Sequence, residues 1–248
     1  MISVGFRTDV GCKRAENEDA LLVLPKYNLF AVADGVGGRS SGEIASRKAV
    51  NGIEAFLKAN PIEKTENMEG KYRRNWFKSY FLRCFQKINN DILEISARDP
   101  STEGMATTAV VAYGDGDALF IINIGDSRAY IVRDGEISQL TEDHTYVNKL
   151  VNAGALTRSE ARNHPQKNMI TRALGVSGDE EPDFYYYDVQ KHDRVLLCTD
   201  GLHGELTDDE IRDIITAEQN LNTVCRNLVK AANDRGGNDN ITVVCWEI

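Results

Sequence analysis

Four aspartates stand beside apolar runs in positions that suit cation chemistry. Asp34 follows Leu29-Phe30-Ala31-Val32-Ala33 and precedes Gly35-Val36-Gly37-Gly38, while Asp126 follows the run from Ala118 to Gly125. Asp200 follows Val195-Leu196-Leu197-Cys198-Thr199, and Asp239 comes just before Ile241-Thr242-Val243-Val244-Cys245-Trp246. A carboxylate at the rim of a buried strand costs stability unless it is paired or bound to a cation, and the glycines after Asp34 allow close approach by other groups. One such residue reads as an ordinary strand-to-turn junction. Four of them argue for one shared site.

Composition narrows the classes. The 248 residues are ample for one large core, and no shift in composition marks a second domain. A net charge of −9 opposes binding to nucleic acid or to an anionic membrane surface, so neither is expected as a partner. The acidic surplus fits a cation site, although 27% charged residues is ordinary for a soluble chain. No apolar stretch reaches the roughly 20 residues that span a bilayer, and the N-terminus has no signal-peptide core, which predicts a cytoplasmic protein. The five cysteines, Cys12, Cys84, Cys198, Cys225 and Cys245, form no C-x-x-C pair, so neither a disulfide framework nor a zinc knuckle is expected. Cys12 precedes Lys13 and Arg14, cations that can favour a thiolate, but nothing else nearby resembles thiol chemistry and no redox role is expected; Cys84, Cys198 and Cys245 read as core-filling residues.

Elements that could position the aspartates follow from periodicity. Strands are predicted over residues 3–9, 20–25, 29–34, 105–113, 118–125, 128–133, 136–140, 184–189, 194–199 and 241–248. Helices are predicted over 41–58, 73–99, 208–216 and 221–234, the first opened by capping-box spacing in Ser40-Ser41-Gly42-Glu43 and the second carrying an aromatic core stripe. Residues 60–71 read as a surface loop. The segment 145–175 has two short helical patches, around 147–152 and 158–163, and little continuous periodicity, and reads as a mobile surface excursion. Strands joined by Gly114-Asp115-Gly116-Asp117 and Asp134-Gly135 turns are hairpins, which argues for antiparallel pairing. Two such sheets face to face with helices outside make an α+β fold, an αββα four-layer sandwich.

Taken in order, Arg14-Ala15-Glu16-Asn17-Glu18-Asp19, Val32-Ala33-Asp34-Gly35-Val36-Gly37-Gly38, Gly125-Asp126-Ser127-Arg128, Cys198-Thr199-Asp200-Gly201 and Asp239-Asn240 resemble the motifs of the metal-dependent serine/threonine protein phosphatases, the type 2C or PPM family. Thr8-Asp9-Val10-Gly11 and Thr171-Arg172-Ala173-Leu174-Gly175 give it a bacterial-type character. The resemblance runs nearly end to end. It implies a single catalytic domain over residues 1–248, with 145–164 as its flap beside the active site and no regulatory or membrane extension. It implies two Mn2+ or Mg2+ ions per chain, with Asp34 bridging both, the Gly35 carbonyl on one, Asp200 and Asp239 on the other, and Glu18 joining directly or through water. A third, weaker metal is typical of bacterial members, and the matching positions are Asp126 and Asp200. Arg14 aligns with the arginine that holds the substrate phosphate, so Asp34 and Arg14 are the catalytic candidates. Asp19, Ser127, Thr199 and Asn240 correspond to supports that orient the ligands.

The residue types suit the implied reaction. Hard divalent cations prefer carboxylate and carbonyl oxygens, and a two-metal site polarises a phosphoryl group and acidifies bound water without a nucleophilic side chain. The planar guanidinium of Arg14 matches a phosphate. One departure matters: Val36 stands where many eukaryotic members have a histidine proposed as general acid, and Arg39 stands where some relatives also have one. Protonation of the leaving group is therefore left to water. His144, His164, His192 and His203 read as loop residues in capping or turn roles; His144 and His164 flank the flap and could touch substrate without being catalytic.

Three other readings are open to tests. Gly35-Val36-Gly37-Gly38-Arg39-Ser40 as a nucleotide cradle fails on the glycine spacing and on the lack of a Walker lysine. A catalytically weak or inactive binding module of the same fold conflicts with the intact Asp34, Asp200 and Asp239, because clustered carboxylates repel without a cation. A small phosphorylated metabolite as substrate fits less well than a protein loop with an open, polar flap. The expected partners are phosphorylated proteins, clients of a serine/threonine kinase, met by a monomer.

Overall fold

The computed structural model describes residues 2–38, 41–62, 68, 70–178 and 181–248. Strands β1 (Val4–Asp9), β2 (Asp19–Leu24) and β3 (Leu29–Val36) lead into helices α1 (Ser41–Ala59) and α2 (Gly70–Arg98). Then come β4 (Ala106–Thr107), β5 (Ala109–Asp115), β6 (Ala118–Ile124), β7 (Arg128–Arg133) and β8 (Glu136–Gln139). Short helices α3 (Tyr146–Asn152) and α4 (Arg158–Arg162) follow, then β9 (Asp183–Asp188) and β10 (Arg194–Cys198). The chain ends with α5 (Asp200–His203), α6 (Asp208–Ala217), α7 (Leu221–Asp234) and β11 (Ile241–Glu247). The proposed Ser40 capping box, Arg39 and much of the 60–71 loop lie outside the described residues.

One sheet has the order β1-β11-β10-β7-β8, and the other β2-β3-β5-β6-β9 with β4 paired to β3. Every pairing between strands is antiparallel among the described residues. Alternation along the strands builds three apolar layers. In β3, Leu29, Ala31 and Ala33 pack under α1 and α2, whereas Phe30 and Val32 turn to the other sheet. In β11, Ile241, Val243 and Cys245 pack under α7, whereas Val244 and Trp246 meet Phe30 between the sheets. The Phe30 and Trp246 rings stack with centroids 4.4 Å apart. Strands covered on both faces have no polar side to show, so acidic residues are confined to their ends and breaks.

That confinement is what positions the site. Phe77, Tyr80, Phe81, Cys84, Phe85, Ile88 and Ile92 give α2 its buried face, and Phe77 meets Phe120 of β6 at 4.2 Å between centroids. Each large buried side chain of this kind contributes about 1.5–3 kcal/mol.

Two expectations need correction. The single strand over 105–113 is broken at Thr108 into β4 and β5, and β3 runs through Asp34 to Val36, changing partner from Val110 of β5 to Thr107 of β4. Asp34 therefore sits at a switch between strands rather than at a strand end. The one-turn helix α5, which begins at Asp200, is too short for periodicity to reveal.

Candidate functional site

Asp34 is held at the break between β4 and β5 by two threonines. Its backbone N–H donates to Thr108 Oγ1 at 2.9 Å, and its carbonyl accepts from Thr108 N and from Thr107 Oγ1 at 2.9 and 2.8 Å. Thr108 Oγ1 also lies 2.7 Å from Ser127 Oγ, which ties the Asp34 turn to the residue after Asp126. Motif reading passed over Thr107 and Thr108, whose signal was a pair of hydroxyls inside an otherwise apolar buried run.

Glycine at 35 and 42 is required by space. A Cβ on Gly35 would lie 2.1 Å from the Gly42 carbonyl oxygen, and one on Gly42 would lie 2.9 Å from Glu18 Cδ. The start of α1 therefore comes within reach of Glu18, whose carboxylate accepts a backbone hydrogen bond from Gly42. Anions are favoured there by the free N–H groups of the first turn. Glu18 is further fixed through its backbone: its carbonyl accepts from Gly35 N at 3.2 Å, and its N–H donates to Asn240 Oδ1 at 2.8 Å. Asn240 Nδ2 in turn donates to the Val10 and Glu16 carbonyls.

The structure brings Asp34, Asp126, Asp200 and Asp239 into one electrostatic cluster. Burial pushes the Asp34 carboxyl well above the ordinary aspartate range, and the charges of Asp19, Asp200, Asp126 and Asp239 push it further. Asp126 is raised by the same two causes, burial and then the charge of Asp200. Asp200 is raised to about 6 by burial and by Asp239, against a hydrogen bond from Asp34. Asp19, opposite Asp34 in the β2–β3 register, is raised to about 7 by burial although Thr199 Oγ1 donates to its Oδ2 at 2.9 Å. Thr199 Oγ1 also accepts from Thr242 N.

Arg14 stands at the edge of this cluster. Its Nη2 lies 2.7 Å from Asp239 Oδ2, and it also feels the charges of Asp34 and Glu18. Half of its side chain is exposed, so its other donors reach solvent.

One observation bears directly on a cation. Asp19 Oδ1, Asp126 Oδ1 and Asp200 Oδ1 are buried and have no hydrogen-bond partner among the described residues. Unpartnered buried carboxylate oxygens are costly, and several in one acidic cluster fit a hard divalent ion, which takes oxygen ligands. Among the described residues, no group of three or more histidine, cysteine, aspartate or glutamate side chains is placed as it stands to hold a metal ion. Asp239 is turned to Arg14, and Asp200 shares a hydrogen with Asp34.

Two histidines differ from expectation. His144 is only 5% exposed, so it cannot meet a substrate; its Nδ1 accepts from Gly125 N at 3.1 Å and its Nε2 lies 3.1 Å from Asp183 Oδ2. His203 lies in α5 rather than a loop, and its Nε2 donates to the Asp126 carbonyl at 3.0 Å. His164 and His192 stay at turns, His164 Nδ1 accepting from Gln166 N and His192 facing Glu247. A surface cavity of about 550 Å³ lined by Lys78, Arg172, Glu181 and Asp183 contains none of the four clustered aspartates.

Comparison with known proteins agrees with the motifs. The protein phosphatase 2C family model matches residues 13–241. The chain belongs to the protein phosphatase 2C family. Within that family it is 37% identical to the protein phosphatase PhpP of Streptococcus pneumoniae over 98% of this chain and 96% of the relative. Its fold superposes on the serine/threonine phosphatase of S. agalactiae with a TM-score of 0.89 at 33% identity, covering all of both chains. It also superposes on the catalytic domain of the serine/threonine phosphatase PstP, solved with two manganese ions, at a TM-score of 0.84 and 31% identity over 99% and 97% of the two chains. The two-sheet sandwich flanked by helices is thus the fold of protein phosphatase 2C enzymes. No helix among the described residues is long and apolar enough to cross a membrane.

Proposed function

We propose that this protein is a metal-dependent protein serine/threonine phosphatase. Two Mn2+ or Mg2+ ions would be held by Asp34, the Gly35 carbonyl, Asp200 and Asp239, with Glu18 alongside and with Asp126 and Asp200 available to a third. The observation that carries the reading is the set of buried, unpartnered oxygens of Asp126 and Asp200 in a cluster whose members raise one another's pKa. When bound, such ions would supply Lewis-acid neutralisation of phosphoryl charge and acidify water at the site.

The remaining tasks fall to the chain. Arg14, exposed and resting on Asp239, has nitrogens free to meet solvent and can present them to two phosphate oxygens. The Thr107–Thr108 clasp and the β3 register hold Asp34 in place before substrate arrives, which avoids a reorganisation cost during the reaction. Leaving-group protonation falls to water, because Val36 occupies the neighbouring position and His203 is buried and held neutral, its pKa lowered to about 3. Residues 145–164, with α3 and α4, form the flap over this edge of a single catalytic domain. Phosphorylated proteins, clients of a serine/threonine kinase, are the substrates, met in the cytoplasm by a monomer.

The test is hydrolysis of an aryl phosphate with added Mn2+ by the parent protein and by Asp34→Asn. Loss of about a hundredfold or more in turnover is expected. Equal activity rejects the metal mechanism, and an inert parent protein favours a binding module of the same fold. Turnover on phosphoserine, phosphothreonine and phosphotyrosine peptides against sugar phosphates then settles the substrate class.

A further inference from the structure

We propose that His144 and His203 clamp the backbone on either side of the Asp126 Cα and so aim its carboxylate into the acidic cluster, which makes both positioning residues for cation binding; the inference rests on the metal reading above. Gly125, immediately before Asp126, has φ +103°, a conformation open to glycine, and a Cβ there would lie 2.5 Å from the Thr108 side chain. Such a turn has to be held from outside. His144 does so twice, its Nδ1 accepting from Gly125 N at 3.1 Å and its own N–H donating to the Gly125 carbonyl at 3.0 Å. His203 Nε2 donates to the Asp126 carbonyl at 3.0 Å. Two histidines from distant parts of the chain therefore tie three backbone atoms around one acidic residue, two through ring nitrogens and one through the His144 backbone N–H; the Oδ1 of that residue is buried and without a hydrogen-bond partner among the described residues.

The hydrogen bonds also set the tautomer. Because Nδ1 of His144 accepts, its proton is on Nε2, which donates to Asp183 Oδ2 at 3.1 Å. Arg172 Nη1 donates to Asp183 Oδ1 at 2.9 Å and lies 3.2 Å from His144 Nε2, so both donors converge on one carboxylate. Tyr185 OH donates to Asp183 Oδ2 and accepts from Glu142 N. Burial and the nearby Arg172 charge keep the His144 pKa below its usual range, against Asp183, so the acceptor at Nδ1 persists. The clamp also joins elements: His144 leads into Thr145, the cap of α3, and His203 closes the one-turn helix that Asp200 opens.

The experiment measures Mn2+ binding by calorimetry on the full chain, without substrate, alongside the thermal midpoint in EDTA. His144→Asn puts an acceptor oxygen near the position of Nδ1, whereas His144→Gln puts its polar atoms near Nε2; His203→Gln keeps a donor near Nε2. We expect His144→Leu, His144→Gln and His203→Leu to weaken the weakest Mn2+ site, the one Asp126 would serve, about 10-fold to 100-fold, and His144→Asn and His203→Gln to keep the parental affinity there. A merely structural role would make affinity follow the EDTA midpoint instead of this pattern. Imidazole 15N shifts of the EDTA-treated parent should show His144 Nδ1 unprotonated. A protonated Nδ1, or equal Mn2+ affinity in His144→Asn and His144→Gln, overturns the clamp, and that pair decides the matter if the leucine variants fail to fold. A parent protein that binds no Mn2+ overturns the metal reading and the clamp together, while normal parental binding with unaltered variants overturns the clamp alone.

Discussion

Asp34 and Arg14 illustrate how a side chain's chemistry is set by what surrounds it. The carboxyl of Asp34 is raised by burial and by four neighbouring acids, while Arg14, half-exposed, is held charged by Asp239 and by the nearby Asp34 and Glu18. Because a lysine is a point charge without the planar fork, Arg14→Lys should raise KM for a phosphopeptide about tenfold while changing kcat less. Steady-state kinetics on one phosphothreonine peptide would show it; an unchanged KM would remove Arg14 from the phosphate. Thr108 makes a different kind of contribution, since its hydroxyl both accepts from Asp34 N and meets Ser127. Thr108→Val leaves a buried N–H without its acceptor, so urea unfolding should lose about 1–3 kcal/mol and Mn2+-dependent turnover should fall with it. If stability and turnover both match the parent, the threonine clasp does not hold the site.

At the scale of elements, the helices and most strands follow their periodicity, and the departures cluster where function lies. The apolar run 105–113 reads as one strand, yet it breaks at Thr108 because β3 must exchange one partner for another beside Asp34. Helix α5 is only four residues, less than the stretch over which a helical period can be counted. Helix α6 behaves as its opening residues suggest: Thr207 accepts from Glu210 N, and Glu210 Oε2 accepts from Thr207 N at 2.9 Å. Removing this capping box with Thr207→Ala should cost about 1 kcal/mol in urea unfolding with little change in catalysis, since the site lies beyond α5. A large loss of Mn2+-dependent activity at unchanged stability would show that α6 bears on the site more directly.

For the molecule as a whole, folding and cation binding are coupled through the acidic cluster. Without metal, Asp200 titrates at about 6 in the folded protein, above the aspartate value of about 3.9 in an unfolded chain. A raised folded pKa stabilises at pH below about 4, and that contribution is lost as pH rises through about 6. Asp143 and Asp193 have the opposite sign: burial raises them, but Arg128 and Arg133 outweigh it, so their contribution is present above about pH 4 and lost in acid. The EDTA-treated protein should therefore be more stable near pH 5 than near pH 8. Mn2+ binds the deprotonated set, so its stabilisation should be larger near pH 8, about 2.7 kcal/mol at a hundredfold excess over Kd. Thermal midpoints in EDTA and in Mn2+ at the two pH values measure this, and an EDTA midpoint that climbs from pH 5 to pH 8 would contradict raised carboxyls.

By itself, the amino-acid sequence determined the alternation of strands and helices, the layered α+β class and the acidic residues beside apolar runs. Those signals come from near neighbours along the chain, where a period of two or of 3.6 decides which side of an element is buried. Only the tertiary structure decided that His144 and His203 face inward onto one turn, and that Thr108 breaks a strand to hold Asp34. Such meetings depend on which strand pairs with which across the two sheets, and on the space left once Trp246 and Phe30 have closed the layer between them.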